Sequence, residues 1–308
     1  MSIAVGARSA VGAVVETVWG TTPTTPTLLQ LPFVTFNLGK KLDKFMDPSI
    51  QGDRMYRPSV TGNSHIVGDI AVSYQPLNYD NLLGSLFNNA WSSNVLAIGN
   101  TRTSMTIEHS QIDIAQYFQY TGVVVDKLAL KLNTNGIVNA TFSLIGKDSP
   151  TVTSASIDTV SGASPNGFYT PASVANPFTH SGGTFKEGGS AIASLVSLDL
   201  TLDNKVAANF ALGQTTVTDF SSNFFDVTGT ATVYLQDASV YNKFINSTTT
   251  SLEFTLTNGT NSHDFLIPNV RYNDAVKSIS GNGPVMLSIP FTGFYDSGTS
   301  TNVKITRT

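Results

Sequence analysis

Apolar and polar residues alternate with a period of two along most of the chain. Phe33-Val34-Thr35-Phe36-Asn37-Leu38, Met105-Thr106-Ile107-Glu108-His109, Leu128-Ala129-Leu130-Lys131-Leu132 and Leu198-Asp199-Leu200-Thr201-Leu202 each put their large side chains on one face of an extended segment. These stretches predict strands with one buried face and a mainly β chain. Helical periodicity is scarce. Its best case is 79–88, where Leu82, Leu83, Leu86 and Phe87 share a face after Asn78, a candidate N-cap.

The pattern also repeats. Residues 105–146 align without a gap on 252–293, an offset of 252 − 105 = 147. Phe118/Phe265, Val123/Val270, Asn135/Asn282, Gly136/Gly283, Val138/Val285 and Gly146/Gly293 are identical across it, and both copies carry Asn-Gly before the last strand, a hairpin signal. Upstream, Gly68-Asp69-Ile70-Ala71-Val72-Ser73-Tyr74-Gln75 resembles Gly229-Thr230-Ala231-Thr232-Val233-Tyr234-Leu235-Gln236, and each leads into a short helical candidate, at Tyr79 or Tyr241. Strand, helix and hairpin therefore recur in one order. The expected organisation is an N-terminal arm (1–30), a first repeat (31–148), a linker or insertion (149–190), a second repeat (191–297) and a C-terminal tail (298–308). The linker is rich in Ser, Thr, Gly, Pro and Asn and contains Ser164-Pro165-Asn166-Gly167 and Gly188-Gly189.

Composition narrows the function. At 308 residues there is room for one large β domain or two ordinary ones, and 41% apolar residues can fill their cores. Charged residues are only 12%, about half the usual share, which suggests a surface covered by partners. A formal charge of −4 without a run of Lys or Arg disfavours tight nucleic-acid binding. Cysteine is absent, so disulfides, thiolate metal sites and Cys nucleophiles fall away together. Arg8 and Glu16 interrupt the apolar N-terminal stretch, so no signal peptide is expected; nor is a membrane span, which needs about 18 consecutive apolar residues. The triplets at Asn139, Asn246 and Asn258 then lack a secretory context and read as chance Thr-rich composition.

Candidate chemistry is thin. Ser262-His263-Asp264 holds the residue types of a hydrolase triad, but consecutive residues cannot adopt a triad's geometry. His65, His109, His180 and His263 lack metal-pair spacing, Asp43 and Asp47 read as a solvated charge run, and Gly281-Asn282-Gly283 reads as a turn rather than a dinucleotide loop. Phe224-Phe225 and Tyr117-Phe118 read as core or interface anchors. No catalytic, cofactor-binding or metal-ligating residue is expected, and no enzyme.

Three stretches carry a family resemblance. Glu16-Thr17-Val18-Trp19-Gly20-Thr21-Thr22-Pro23 is similar to the opening of phage tail tube subunits. Arg57-Pro58-Ser59-Val60-Thr61-Gly62, Val67-Gly68-Asp69-Ile70 and Tyr79-Asp80-Asn81-Leu82-Leu83 resemble that family's strand, strand and helix, and Phe265-Leu266-Ile267-Pro268-Asn269-Val270 with Gly281-Asn282-Gly283-Pro284-Val285 resembles its closing hairpin. The resemblance implies two tandem β-sandwich or β-barrel repeats, each with a flanking helix, whose sheets join those of neighbours around a channel. It implies a trimeric ring with pseudo-sixfold symmetry, a hexameric ring being the alternative, stacked into a tube in the virion tail after assembly in the host cytoplasm. DNA would pass through the lumen without specific binding, and the expected partners are tape measure, tail terminator and distal tail proteins and possibly a sheath, with no membrane. A β-sandwich adhesin, decoration protein or carbohydrate-binding module is the alternative; a β-sandwich hydrolase ranks last.

Overall fold

The computed structural model describes residues 3–150, 152–159, 169–173, 175–192, 194–278 and 282–308. Ser164-Pro165-Asn166-Gly167 and Gly281 lie outside them. In chain order the N-terminal half contains β1 (Ser9–Val15), β2 (Leu29–Gln30), β3 (Thr35–Phe36), β4 (Gly39–Phe45), β5 (Val60–Ser73), α1 (Asp80–Phe87), β6 (Val95–Ala97), β7 (Met105–Gln111), β8 (Gln116–Asn133) and β9 (Asn139–Gly146). The C-terminal half contains β10 (Thr184–Glu187), β11 (Ser190–Ala191), β12 (Leu195–Asp203), β13 (Val206–Asn209), β14 (Asp219–Ser222), β15 (Asp226–Tyr234), α2 (Ser239–Ile245), β16 (Thr250–Thr257), β17 (Ser262–Tyr272), β18 (Val276–Ser278), β19 (Met286–Gly293) and β20 (Lys304–Arg307).

One antiparallel sheet runs through both halves in the order β4-β5-β9-β8-β12-β15-β19-β18. Against it lie β2-β1-β7 with the first part of β8, and β11-β10-β16-β17-β20-β6. The inward faces share a core in which Ile66, Ile70, Phe142, Leu128 and Leu130 meet Leu198, Leu200, Leu202 and Val227. Alternation gives the long sheet two unlike faces. Apolar residues point into this core, while Asp69, Thr141, Ser143, Lys127, Lys131, Asp199, Thr201, Asp203, Thr228, Thr230 and Thr232 occupy the intervening positions on the other side.

Strand pairing recurs at constant offsets. Val124–Ile145 and Val125–Leu144 shift register before Ala129–Thr141 and Lys131–Asn139; adding 147 to each gives Arg271–Thr292, Tyr272–Phe291, Val276–Ser288 and Ser278–Met286, all of which are observed. Gly68–Leu144 becomes Gly229–Phe291 with 161 added to the first member and 147 to the second. Thr35–Ala71 and Lys41–His65 become Ser197–Thr232 and Asp203–Asp226 with 162 and 161 added. The shared glycine has a shared cause. A Cβ at Gly68 would lie 2.7 Å from the Asn37 carbonyl oxygen, and one at Gly229 would lie 2.6 Å from that of Asp199, which is 37 + 162.

The structure corrects the alignment in one place. Met105–Val123 and Ile107–Tyr120 match Thr250–Val270 and Leu252–Ile267, so the first strand of that hairpin is displaced by 145 rather than 147. A slip of two leaves the alternation in phase, which is why the pattern could not reveal it.

The segments expected as arms and linker contain paired strands. Within 1–30, β1 pairs with β7 over its whole length and buries Ala10, Val11 and Ala13. In 298–308, β20 pairs with β17 and β6, and Val303 and Ile305 are fully buried. Within 149–190, β10 joins β16, while Tyr169 and Phe178 are core residues. Asn78 does not cap α1. Its side chain bonds Gln75 and the backbone of Ser173, and the residue at the cap position, Tyr79, makes no side-chain cap.

Candidate assembly surfaces

The two halves meet along one pair of strands. β8 and β12 pair antiparallel from Asn133–Ser197 to Lys127–Asp203, placing Lys131 opposite Asp199 as well. Lys127 and Asp203 form an ion pair of 3.4 Å, and Asp126 accepts the N–H of Asn204 on its carbonyl at 2.8 Å and that of Val206 on its carboxylate at 2.7 Å. Burial holds the Asp126 carboxyl above the usual carboxylate range, and the Val206 N–H opposes that shift.

Applying the offsets to this junction locates two strand edges with no partner among the described residues. The counterpart of 127–133 is 274–280, which contains β18; among the described residues β18 pairs only with β19, and all three of its residues are exposed. The counterpart of 197–203 is 35–41, spanning β3 and the start of β4, whose only described pairing is with β5. An unpaired edge presents backbone N–H and C=O groups ready to bond another strand.

Two further features separate the halves. The α1 residues Leu82, Leu83, Leu86 and Phe87 are fully buried in the shared core, where α1 packs on β8 and β6 and the C-terminal half adds Phe225, 5.7 Å from the Phe87 ring, and Arg307, paired with Asp80. α2 has no buried residue. The extended hairpin β13–β14 folds onto the N-terminal half, where the Ser64 N–H donates to the Thr215 carbonyl at 2.8 Å, Arg102 pairs with Asp219 at 2.7 Å, and Val217 and Phe220 pack on Val124, Ile145 and Trp19. Its counterpart, β4–β5, ends in a loop whose Phe45, Met46, Ile50, Met55 and Tyr56 are exposed, Ile50 at 97% and Tyr56 at 85%.

The Glu16-Trp19-Gly20 stretch has a structural role that its sequence did not disclose. The Glu16 carboxylate accepts the N–H groups of Gly20 at 2.7 Å and Gly122 at 2.8 Å and the hydroxyls of Ser104 and Thr106 at 2.7 and 2.8 Å. Gly122 sits at φ 63 where β8 leaves β7 and turns into the long sheet, and a Cβ there would also meet Lys147 at 2.7 Å. The Trp19 ring packs edge-on against Phe220 at 5.5 Å, with Lys147 and Arg102 over it. Glu16 thus ties four points of the fold to the start of the inter-half junction.

The residues weighed for catalysis do not converge. His263 is 1% exposed, shares a 2.8 Å hydrogen bond with the Tyr74 hydroxyl and packs against Phe178 and Trp91; burial, aided by the nearby Arg307 charge, lowers its pKa to about 4. Ser262 bonds Thr308 and Asp264 bonds Thr255, each directed away from His263. His109 packs between Phe36 and Phe118, His65 lies beside Phe210, and His180 lies beside Gly136. Asp47 is taken up by Ser49. Among the described residues no three His, Asp or Glu come together as a metal ion would require. Of the aromatic pairs, Phe225 anchors the inter-half contact, Tyr117 is core, and Phe224 is exposed.

The family model described as phage tail tube protein matches residues 6–293. A comparison with curated proteins returns no match.

Proposed function

The chain belongs to the phage tail tube protein family, and we propose that it consists of two copies of one β unit and closes with sister chains into rings that stack as the wall of the tail tube. One observation carries this reading. The two unpaired edges, 35–41 and 274–278, are the counterparts of the two edges already joined within the chain at β12 and β8. A contact between chains that repeats the contact within the chain is heterologous, and such contacts close into rings when the rotation allows. The less buried α2 and the unsupported β4–β5 hairpin fit the same scheme, since Phe225 and Arg307 of the C-terminal half help to cover α1 and the β13–β14 hairpin rests on the N-terminal half. A discrete binding module would leave both edges open, an aggregation hazard.

The long sheet supplies eight strands per chain, so three chains give 24. At about 4.8 Å between strands and about 40° of tilt the barrel is roughly 45 to 50 Å across its backbone, wide enough for a DNA duplex. Its polar face would line the lumen. There Asp69, Asp199, Asp203, Asp226 and Asp274 balance Lys41, Lys44, Lys127, Lys131 and Arg271 among hydroxyls and amides, so no net positive field holds DNA in place. The genome then slides without specific binding, and tape measure, terminator, distal tail and sheath proteins meet the tube at its lumen, ends and outer face.

Electron microscopy of the purified protein tests this. The expected image is a ring with threefold and apparent sixfold symmetry, stacking as concentration rises. Discrete single molecules at every concentration would overturn the proposal.

A further inference from the structure

The edges that remain free differ in charge from those that pair inside the chain: of the two acid–base pairs of the internal junction, one is reversed and the other is replaced by the uncharged Asn37 and Ser278. Inside the chain the β8 edge is basic, with Lys127 and Lys131, and the β12 edge is acidic, with Asp203 and Asp199 directly opposite. Carrying this register to the free edges, on the ring reading above, sets Lys41 opposite Asp274, Lys40 opposite Ala275, Gly39 opposite Val276, Leu38 opposite Lys277 and Asn37 opposite Ser278. Where the internal junction has Asp203 facing Lys127, the external one has Lys41 facing Asp274. The ion pair is kept and its polarity is reversed. Both side chains lie on the sheet face opposite the core and are exposed, and among the described residues neither Lys41 nor Asp274 has an ion-pair partner within the chain.

We propose that this reversal is a code that makes each edge accept only its proper partner, a second copy of this chain engaging through the opposite half. The wrong pairings show why. When an internal junction opens, an N-terminal half pairing with another N-terminal half through the equivalent strands would set Lys41 against Lys127. The C-terminal half doing the same would set Asp203 against Asp274. Like charges directly opposite one another on paired strands are unfavourable, and opposite charges are favourable. With one polarity at both junctions, all four combinations would be matched, and mixed rings or exchanged halves would follow. With the polarity reversed, only alternation of the two halves avoids repulsion. The two junctions are thus chemically distinct although their backbones are alike.

Charge reversal tests the code, and cysteine cross-linking keeps it separable from the ring itself. The chain contains no cysteine, so Gly39→Cys with Val276→Cys introduces the only thiols, at positions expected to lie directly opposite across the external junction. Gly39 has open space for a side chain, and opposed strand residues lie within disulfide reach. Oxidation is expected to give a ladder of linked chains, which establishes that the edges meet in this register; absence of any ladder overturns both the register and the ring reading. Against that background, Lys41→Asp and Asp274→Lys are each expected to raise the protein concentration needed for assembly by about tenfold at low salt. The effect should shrink at high salt. The double variant should assemble within about twofold of the parent's threshold but, having one polarity at both junctions, should exchange halves more readily than the parent. Lys41→Gln and Asp274→Asn, which remove attraction without adding repulsion, should fall between, and each variant's monomer should unfold at the parent's midpoint. Ladders that form while both reversals assemble like the parent, or a double variant no better than the singles, would overturn the code and leave the ring standing.

Discussion

Replacing Glu16 by Ala gives the sharpest test of how the long sheet is held. The carboxylate is 8% exposed and accepts two backbone N–H groups and two hydroxyls. Thr106 retains a partner in Thr22, 3.0 Å away, and a Ser hydroxyl can rotate, so the hydroxyls contribute little of the loss. The amides of Gly20 and Gly122 cannot turn elsewhere. Each unsatisfied donor costs about 1–3 kcal/mol, offset in part because the carboxylate no longer has to be desolvated, so the net loss is about 2–4 kcal/mol. Glu16→Gln keeps one acceptor oxygen, and its expected loss is about half as large.

Urea unfolding of the unassembled chain, followed by tryptophan fluorescence, measures this directly because Trp19 packs beside the same contacts. The midpoint should fall with the slope unchanged. A loss below about 0.5 kcal/mol for Glu16→Ala would refute the assignment, since two buried amides would then have found water or other partners at no cost. Loss of the carboxylate should also loosen the crossing of β8 at Gly122 and, through it, the β8–β12 junction. Amide exchange of 127–133 is therefore expected to quicken more than that of β19.

His263 predicts a pH dependence with a definite sign. Its folded pKa of about 4 lies below the ordinary 6.5, so between these values the unfolded chain binds a proton that the folded chain refuses; stability is full above about pH 6.5 and declines towards pH 4 by about 3 kcal/mol. Asp80, Glu108, Asp126 and Asp264, all raised by burial, act with the opposite sign in the acid range, so the test is the difference between the parent and His263→Phe, whose unfolding free energy should lose one proton's worth of slope; parallel pH profiles would refute it. Replacing the exposed tip 46–59 by a short turn should change monomer stability by less than about 1 kcal/mol while blocking assembly in sedimentation velocity, because its apolar side chains touch little of their own chain. Assembly at the parent's threshold would show that the tip has no partner.

The strands were legible because alternation is a direct imprint of a half-buried sheet. The limits of that signal explain what was misread. β1, Ser9-Ala10-Val11-Gly12-Ala13-Val14-Val15, is small and apolar without alternation, since it lies under the insertion as well as over the core, where Ala10 meets Leu28 and Tyr169 while Val11 faces Ile107's cluster. It therefore looked like part of an arm. β20 and the residue before it offer only Ile305 and Val303 as alternating apolar positions, too few to mark a strand at a polar terminus. The Glu16 motif stood out as a resemblance, but its meaning depends on Gly122, which lies 106 residues away. The charge reversal between junctions was invisible for a related reason: it appears only when two registers are laid over each other.

On the ring reading, joining two units in one chain changes the energetics as well as the count. A ring of six separate units needs six bimolecular contacts, whereas three linked pairs need only three, the others being formed at the high effective concentration that a covalent connection provides. The internal junction is then the favoured one, and a molecule with it closed presents one edge of each kind. Such a monomer must survive exposure of those edges before assembly. Lys40, Lys41 and Lys44 charge the first edge, and at the second Lys277 lies within the short β18 and Asp274 just before it, devices that discourage casual strand addition. The same lysines that keep the edge soluble become an attraction only when a strand with an acid at the right register arrives. Protection of the free chain and recognition of its sister are in this way one property of the edge, and weakening either by charge reversal should be felt in both.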